Sequence, residues 1–300
     1  MDAINALVTF FSREPDVAAV YLYGRYAHDR TWPDSDIEIA LLFQDRLSEE
    51  DISEYLERLT TVNPLGEVQG ILMPFALNAH ILPVIYEVLT GASIIVDNDP
   101  KSRDAFTRQV EARLDEEKGA LLEQAKDAIL QARTVGLVMI GTPGLVLPQP
   151  PKYLDPIRLG WRLARILGSA AVLEQSTRDI QAAGRDPERL GQLIGWFSNA
   201  AGAATGIAKA MLNIFEIPRP SRRWEVFLPL ADARLMTMEL ALQMAAIVES
   251  RWQLLTGSGL TAPERIVSAV RGALAPMIAF ARLAAWYCEV PGAKTDQKLH

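Results

Sequence analysis

The chain has 300 residues, 49% hydrophobic and 22% charged, with a formal net charge of −7. That length supports two ordinary domains, each burying its own core. One cysteine, Cys288, excludes an internal disulfide and a cysteine metal cluster. Apolar runs broken by charges argue against a membrane partner, and "MDAINALVTFFSREPD" lacks the basic region and cleavage site of a secretory signal. A cytoplasmic protein is expected. Residues 1–135 hold 12 Lys/Arg against 24 Asp/Glu, whereas 136–300 hold 18 against 13. This split fits two domains.

In chain order, "AINALVTFFSRE" (3–14) has helical spacing and "VAAVYLYG" (17–24) reads as a strand. In "DIEIALLF" (36–43), Ile37, Ile39 and Leu41 alternate with Asp36, Glu38 and Ala40, predicting a second strand. "SEEDISEYLERLTTV" predicts a helix capped by Ser48, with Glu49, Glu50 and Asp51 in the first turn, where the helix dipole favours acids. A third strand at 68–77, a helix at 80–89, a strand at 92–97 and a polar helix over about 100–132 follow. The stretch 141–156, with five prolines and two glycines, reads as a linker. Beyond it apolar residues recur only at helical spacing, predicting a bundle of four or five helices. Arg158, Arg162 and Arg165 fall on one face of its first helix, which predicts a solvated face.

The turn between the first two strands carries the chemistry. Glycine at Gly24 lets a phosphate approach the backbone closely. Asp36 and Glu38, two apart on a strand, point to one face, as paired carboxylates that hold Mg²⁺ do. An exposed strand edge with ordinary surface acids would have the same spacing.

The run "YLYGRYAHDRTWPDSDIEIALLF" (21–43) resembles, without a gap, the minimal nucleotidyltransferases, relatives of the polymerase-β-type transferases. It retains Gly24, Ala27, Pro33, Asp34, Ser35, Asp36 and Ile37. The resemblance continues through "LNAHILPVIYEVLTGASIIVDNDPKSRDAFTRQV". It implies nucleotide binding by Gly24, Arg25 and Asp36, and metal binding by Asp36 and Glu38. The departures are chemical. Arg25 replaces the family's phosphate-contacting serine, Glu38 replaces its second aspartate, and the third carboxylate position falls near Met73. No aspartate occurs between Asp51 and Asp97. Losing that acid removes metal neutralisation and a general base, the latter typically worth about 10²–10⁴-fold.

The second half is similar to HEPN domains of the toxin type that pairs with minimal nucleotidyltransferases. "ELALQMAAIVESRWQLLTGS" (239–258) sits where that family has Arg-x4-His-x-Tyr, its ribonuclease pair and its AMP-accepting tyrosine. Arg251 matches, but Thr256 and Ser258 replace the histidine and tyrosine, leaving a vestigial set. The only histidines are His28, His80 and His300, so the bundle contains none.

The resulting expectation is an α+β nucleotidyltransferase-like domain with a mixed sheet (1–132, including its exit helix). A linker (133–153), an all-α HEPN-like bundle (154–292) and a tail (293–300) complete it. Its function is read as non-catalytic binding or regulation, a pseudoenzyme descended from a toxin–antitoxin pair, forming a homodimer through the helical domain. No cofactor is fixed by the residues; Mg²⁺ and ATP are the candidates the resemblance implies. One alternative is an active nucleotidyltransferase with an altered metal site. Another is nucleic-acid binding through the basic helices, not favoured because no stacking aromatics interleave with the arginines.

Overall fold

The computed structural model describes residues 3–23, 37–62, 64–65, 72–134, 154–178, 186–218, 220, 222–256, 262–288 and 290. The chain forms two compact units, residues 1–118 and 119–300. The division falls inside a helix, not after it.

In the first unit the order is α1 (Ala3–Phe11), β1 (Val17–Tyr23), β2 (Ile37–Phe43), α2 (Glu49–Val62), β3 (Leu72–Ala76), α3 (Leu82–Gly91), β4 (Ser93–Asp97) and α4 (Pro100–Thr134). The four strands form one mixed sheet in the order β3-β2-β1-β4. β1 is antiparallel to both β2 and β4, while β3 lies parallel to β2. This is the mixed α+β architecture the alternation of elements predicts.

Strand alternation sorts the side chains. Ile37, Ile39, Leu41 and Phe43 share a core with Val20, Leu22 and Val96, and with Leu7 and Phe11 of α1 and Ile52, Tyr55 and Leu59 of α2. The opposite face carries Tyr23, Glu38 and Met73. Two asparagines fasten the frame. The Asn98 side chain donates to the carbonyls of Phe11 (2.9 Å) and Val17 (3.0 Å), closing the α1–β1 corner. Asn78 brackets Phe43, accepting from its N–H (2.8 Å) and donating to its carbonyl (3.0 Å).

Ser48 caps α2 as its sequence predicts. The Ser48 hydroxyl accepts from the Asp51 N–H (3.1 Å), and Asp51 accepts from the Ser48 N–H (2.9 Å), a reciprocal capping box. Asp99 caps α4, accepting from the N–H groups of Lys101 and Ser102 (both 3.1 Å).

The second unit is mostly helical: α5 (Pro156–Ser176), α6 (Pro187–Ile214), a 3-10 turn (Arg223–Phe227), α7 (Leu228–Asp232), α8 (Met238–Thr256) and α9 (Pro263–Trp286). Among its described residues the only extended pairing is a single bridge between Leu154 and Cys288. Asp155 and Asp186 cap α5 and α6, each followed by a proline whose missing N–H costs nothing there. Leu163, Ile166, Phe197, Ala204, Ile207, Met244, Val267, Met277 and Phe280 build one core.

Ala128, Ile129 and Ala132 of α4 belong to that same core. The helix read as the exit of the first domain therefore gives its last turns to the second unit. Gly160 explains how α4 and α5 come together. A Cβ there would lie 2.4 Å from the Ala125 Cα, so only glycine permits the approach.

α9 differs from the expectation of short, broken apolar runs. Among the described residues it alone is long and apolar enough to cross a membrane, with mean hydropathy 1.5. Half of that stretch is buried within the protein. Core helices reach such composition because they are covered on several sides.

Candidate nucleotide site

Of the predicted nucleotide and metal residues, Glu38 is described, whereas Gly24, Arg25 and Asp36 lie outside the described residues. Glu38 is half-buried, the second residue of β2. Its register partners are Tyr23 on antiparallel β1 and Met73 on parallel β3. Paired residues on neighbouring strands point to the same face, so Tyr23, Glu38 and Met73 form one row across the sheet. Met73 is 39% exposed. The side chain that flanks Glu38 from β3 is thus a thioether, a weak acceptor without charge.

α3 supplies a group that strand reasoning missed. The Tyr23 hydroxyl donates a 2.6 Å hydrogen bond to Glu87, placing a carboxylate over the row that contains Glu38. The Tyr23 ring meets Phe75 edge-on, and Phe75 meets His80 in turn. Nothing local in the sequence singles out Glu87. Its one signal is a charged residue in an otherwise apolar helix, LPVIYEVLTG.

Among the described residues, no three His, Cys, Asp or Glu side chains cluster closely enough to hold a metal ion. The described part of the site therefore does not fit a complete set of Mg²⁺ ligands, which needs several hard oxygens at short range.

Arg251 ties helices together. Its Nε donates to the Ser198 carbonyl of α6 (3.1 Å), and its guanidinium lies over Gly202, where an added Cβ would sit 3.7 Å away. Thr256 is the last residue of α8, with its side chain outside the described residues, and Ser258 lies outside them altogether.

The arginine face of α5 departs from expectation. Arg165 is exposed and Arg158 half-buried, but Arg162 is only 6% exposed. Its guanidinium lies 4.8 Å from the Trp161 ring centre, and Nη1 donates to the Arg158 carbonyl (3.1 Å). Gly206 makes room for it: a Cβ there would fall 2.7 Å from Arg162 Nε. Arg162 is thereby taken off the solvated face, because α6 presents a glycine where any side chain would push the arginine out.

A family model for polymerase-β-type nucleotidyltransferases (Polymerase beta, Nucleotidyltransferase) matches residues 5–101. The first unit is therefore nucleotidyltransferase-like in sequence as well as in its mixed four-stranded sheet. The match ends at the start of α4 and does not reach the helical unit. Comparison with curated proteins and with solved structures gives no match.

Proposed function

We propose that this chain is a nucleotide-binding protein of the nucleotidyltransferase type that no longer transfers nucleotides. In this reading it serves binding or regulation and descends from a transferase antitoxin joined to a HEPN-type toxin. One observation carries it: Met73 is the β3 partner of Glu38. Two-metal phosphoryl transfer needs carboxylates to neutralise the ions and to take the proton from the attacking hydroxyl. A thioether does neither. Arg25 supports nucleotide retention, since a guanidinium pairs bidentately with phosphate, yet it competes with Mg²⁺ for the same oxygens.

The helical unit supports this reading from its composition. Its RNase-type motif has Arg251 without an imidazole, and Arg251 is engaged with the α6 backbone. We place the protein in the cytoplasm as a homodimer joined through the helical unit.

The test is incorporation of labelled AMP from ATP, by the chain alone and with candidate acceptor proteins, in Mg²⁺ and in Mn²⁺, beside calorimetric titration with ATP. Binding without incorporation is the expected result. Incorporation that disappears in Asp36→Ala overturns it.

Glu87 favours a second reading. An acid on α3, hydrogen-bonded to the residue beside Glu38, is the kind of replacement carboxylate an active but altered site would require. In that case incorporation is present and falls in both Asp36→Ala and Glu87→Gln.

A further inference from the structure

α4 is one helix with two anchored ends. At its start Asp99 caps the first turn and Arg103 pairs with Asp97 of β4. Towards its end Ala125 lies against Gly160, and Ala128, Ile129 and Ala132 enter the second core. Arg133 then donates through Nε to the Ala285 carbonyl (3.1 Å) and through Nη2 to the Cys288 carbonyl (2.8 Å). The middle has no such anchor. Val110 and Ala125 are buried, and no residue between them is.

Residues 111–124, EARLDEEKGALLEQ, make about four turns of helix. Among the described residues their ion pairs stay within α4: Arg113 with Glu117 (3.2 Å) and Glu123 with Lys126 (3.0 Å). Neither pair spans Gly119. A helix that buries nothing is held by propensity and local pairs alone, and isolated helices of this length are marginal in water. The alanine, leucine, glutamate, lysine, glutamine and arginine of the stretch favour the helix. Gly119 opposes them, because glycine has the most backbone freedom to lose. Packing does not require it. A Cβ at Gly160 or Gly206 would strike atoms of another helix, whereas one at Gly119 would meet nothing within 4 Å. The division between the two compact units also falls between Lys118 and Gly119.

We propose that α4 carries a joint centred on Gly119, where residues 111–124 unwind and re-form locally while both ends of the helix stay docked. The backbone hydrogen bonds broken on opening lie at the surface, where water replaces them. Opening therefore exposes no core and displaces no neighbouring element. α4 is a compliant tether, although it is one unbroken helix in the structure. The inference is independent of the nucleotide reading of the first unit.

The test is amide hydrogen exchange in the full chain, read by peptide mass spectrometry along α4. After correction for intrinsic rates, exchange over 111–124 is expected to be at least about tenfold faster than over 102–110 and 125–132. Gly119→Ala should slow that stretch by about fivefold, the helix-propensity difference between the two residues, and leave both flanks unchanged. This variant is expected to fold, since its methyl group enters open space. Ala120→Gly, at an exposed position, should quicken the same stretch by about fivefold. Ala105→Gly, equally exposed but in the docked part of the helix, should leave it unchanged. Uniform protection along α4 overturns the proposal, as does unchanged exchange in Gly119→Ala. If Ala105→Gly quickens 111–124 as much as Ala120→Gly does, α4 opens as a whole and there is no joint.

Discussion

Glu38 and Met73 stand side by side across the parallel β2–β3 pair, so the one predicted metal ligand among the described residues has a sulfur for its neighbour. One changed side chain would set a second acid beside Glu38 in this row. Met73→Asp is expected to strengthen Mg²⁺-dependent ATP binding by several-fold over the unaltered chain, read by calorimetry with and without the metal. Equal affinity in the two proteins would show that this row does not face the nucleotide.

The α2 capping box predicts a graded loss. Ser48→Ala removes the side-chain bonds to Asp51 and is expected to cost about 1 kcal/mol in denaturant unfolding. The Ser48 hydroxyl and N–H hold the Asp51 carboxyl below its ordinary value of 3.8. A depressed folded-state pKa stabilises above the unfolded value and is lost as pH falls through the folded one. The gap between Ser48→Ala and the unaltered chain should therefore be full above about pH 5 and shrink below 3.8.

Packing of α4 on α5 depends on Gly160. Gly160→Ala places a methyl carbon in Ala125 and is expected to destabilise by about 1–3 kcal/mol, as overpacked cores do. Ala125→Gly should recover part of that loss. A double-mutant cycle with no coupling would mean that the two helices do not meet there in solution.

Asn98 predicts a loss through the backbone. Asn98→Ala leaves the Phe11 and Val17 carbonyls without their side-chain donor, for an expected cost of about 1–3 kcal/mol. A leucine, which fills the space but cannot donate, should be no better than alanine.

The proposed dimer uses the ends of α8 and α9, where Leu255 is 50% and Trp286 40% exposed. An isologous contact buries such side chains twice, so one charge introduced in each chain acts twice. Light scattering at micromolar concentration is expected to give twice the chain mass, and Leu255→Arg to shift it towards one. Only monomer in the unaltered chain would remove the proposal. The purified protein is also expected not to cleave RNA. Cleavage lost in Arg251→Ala would restore a catalytic role to that arginine.

Local physics made much of this chain legible in advance. Two-residue alternation in β2, the Ser48 cap and the all-helical spacing after residue 154 are short-range signals, set by backbone geometry and by which groups a helix end leaves unsatisfied. That no aspartate lies between Asp51 and Asp97 was legible too, because a residue type absent from a stretch is absent in any fold. What depended on tertiary structure was every relation between distant elements. Arg162 sits at a position that periodicity shares with exposed Arg165, and only the bare backbone of Gly206 on another helix lets it turn inward. The end of α4 reads as a polar exit helix, yet its few apolar residues complete the second core. Glu87 reaches the Glu38 row through a tyrosine 64 residues away. Sequence determines which groups exist and how each segment coils; competition among them for space and for acceptors is decided only when the segments pack.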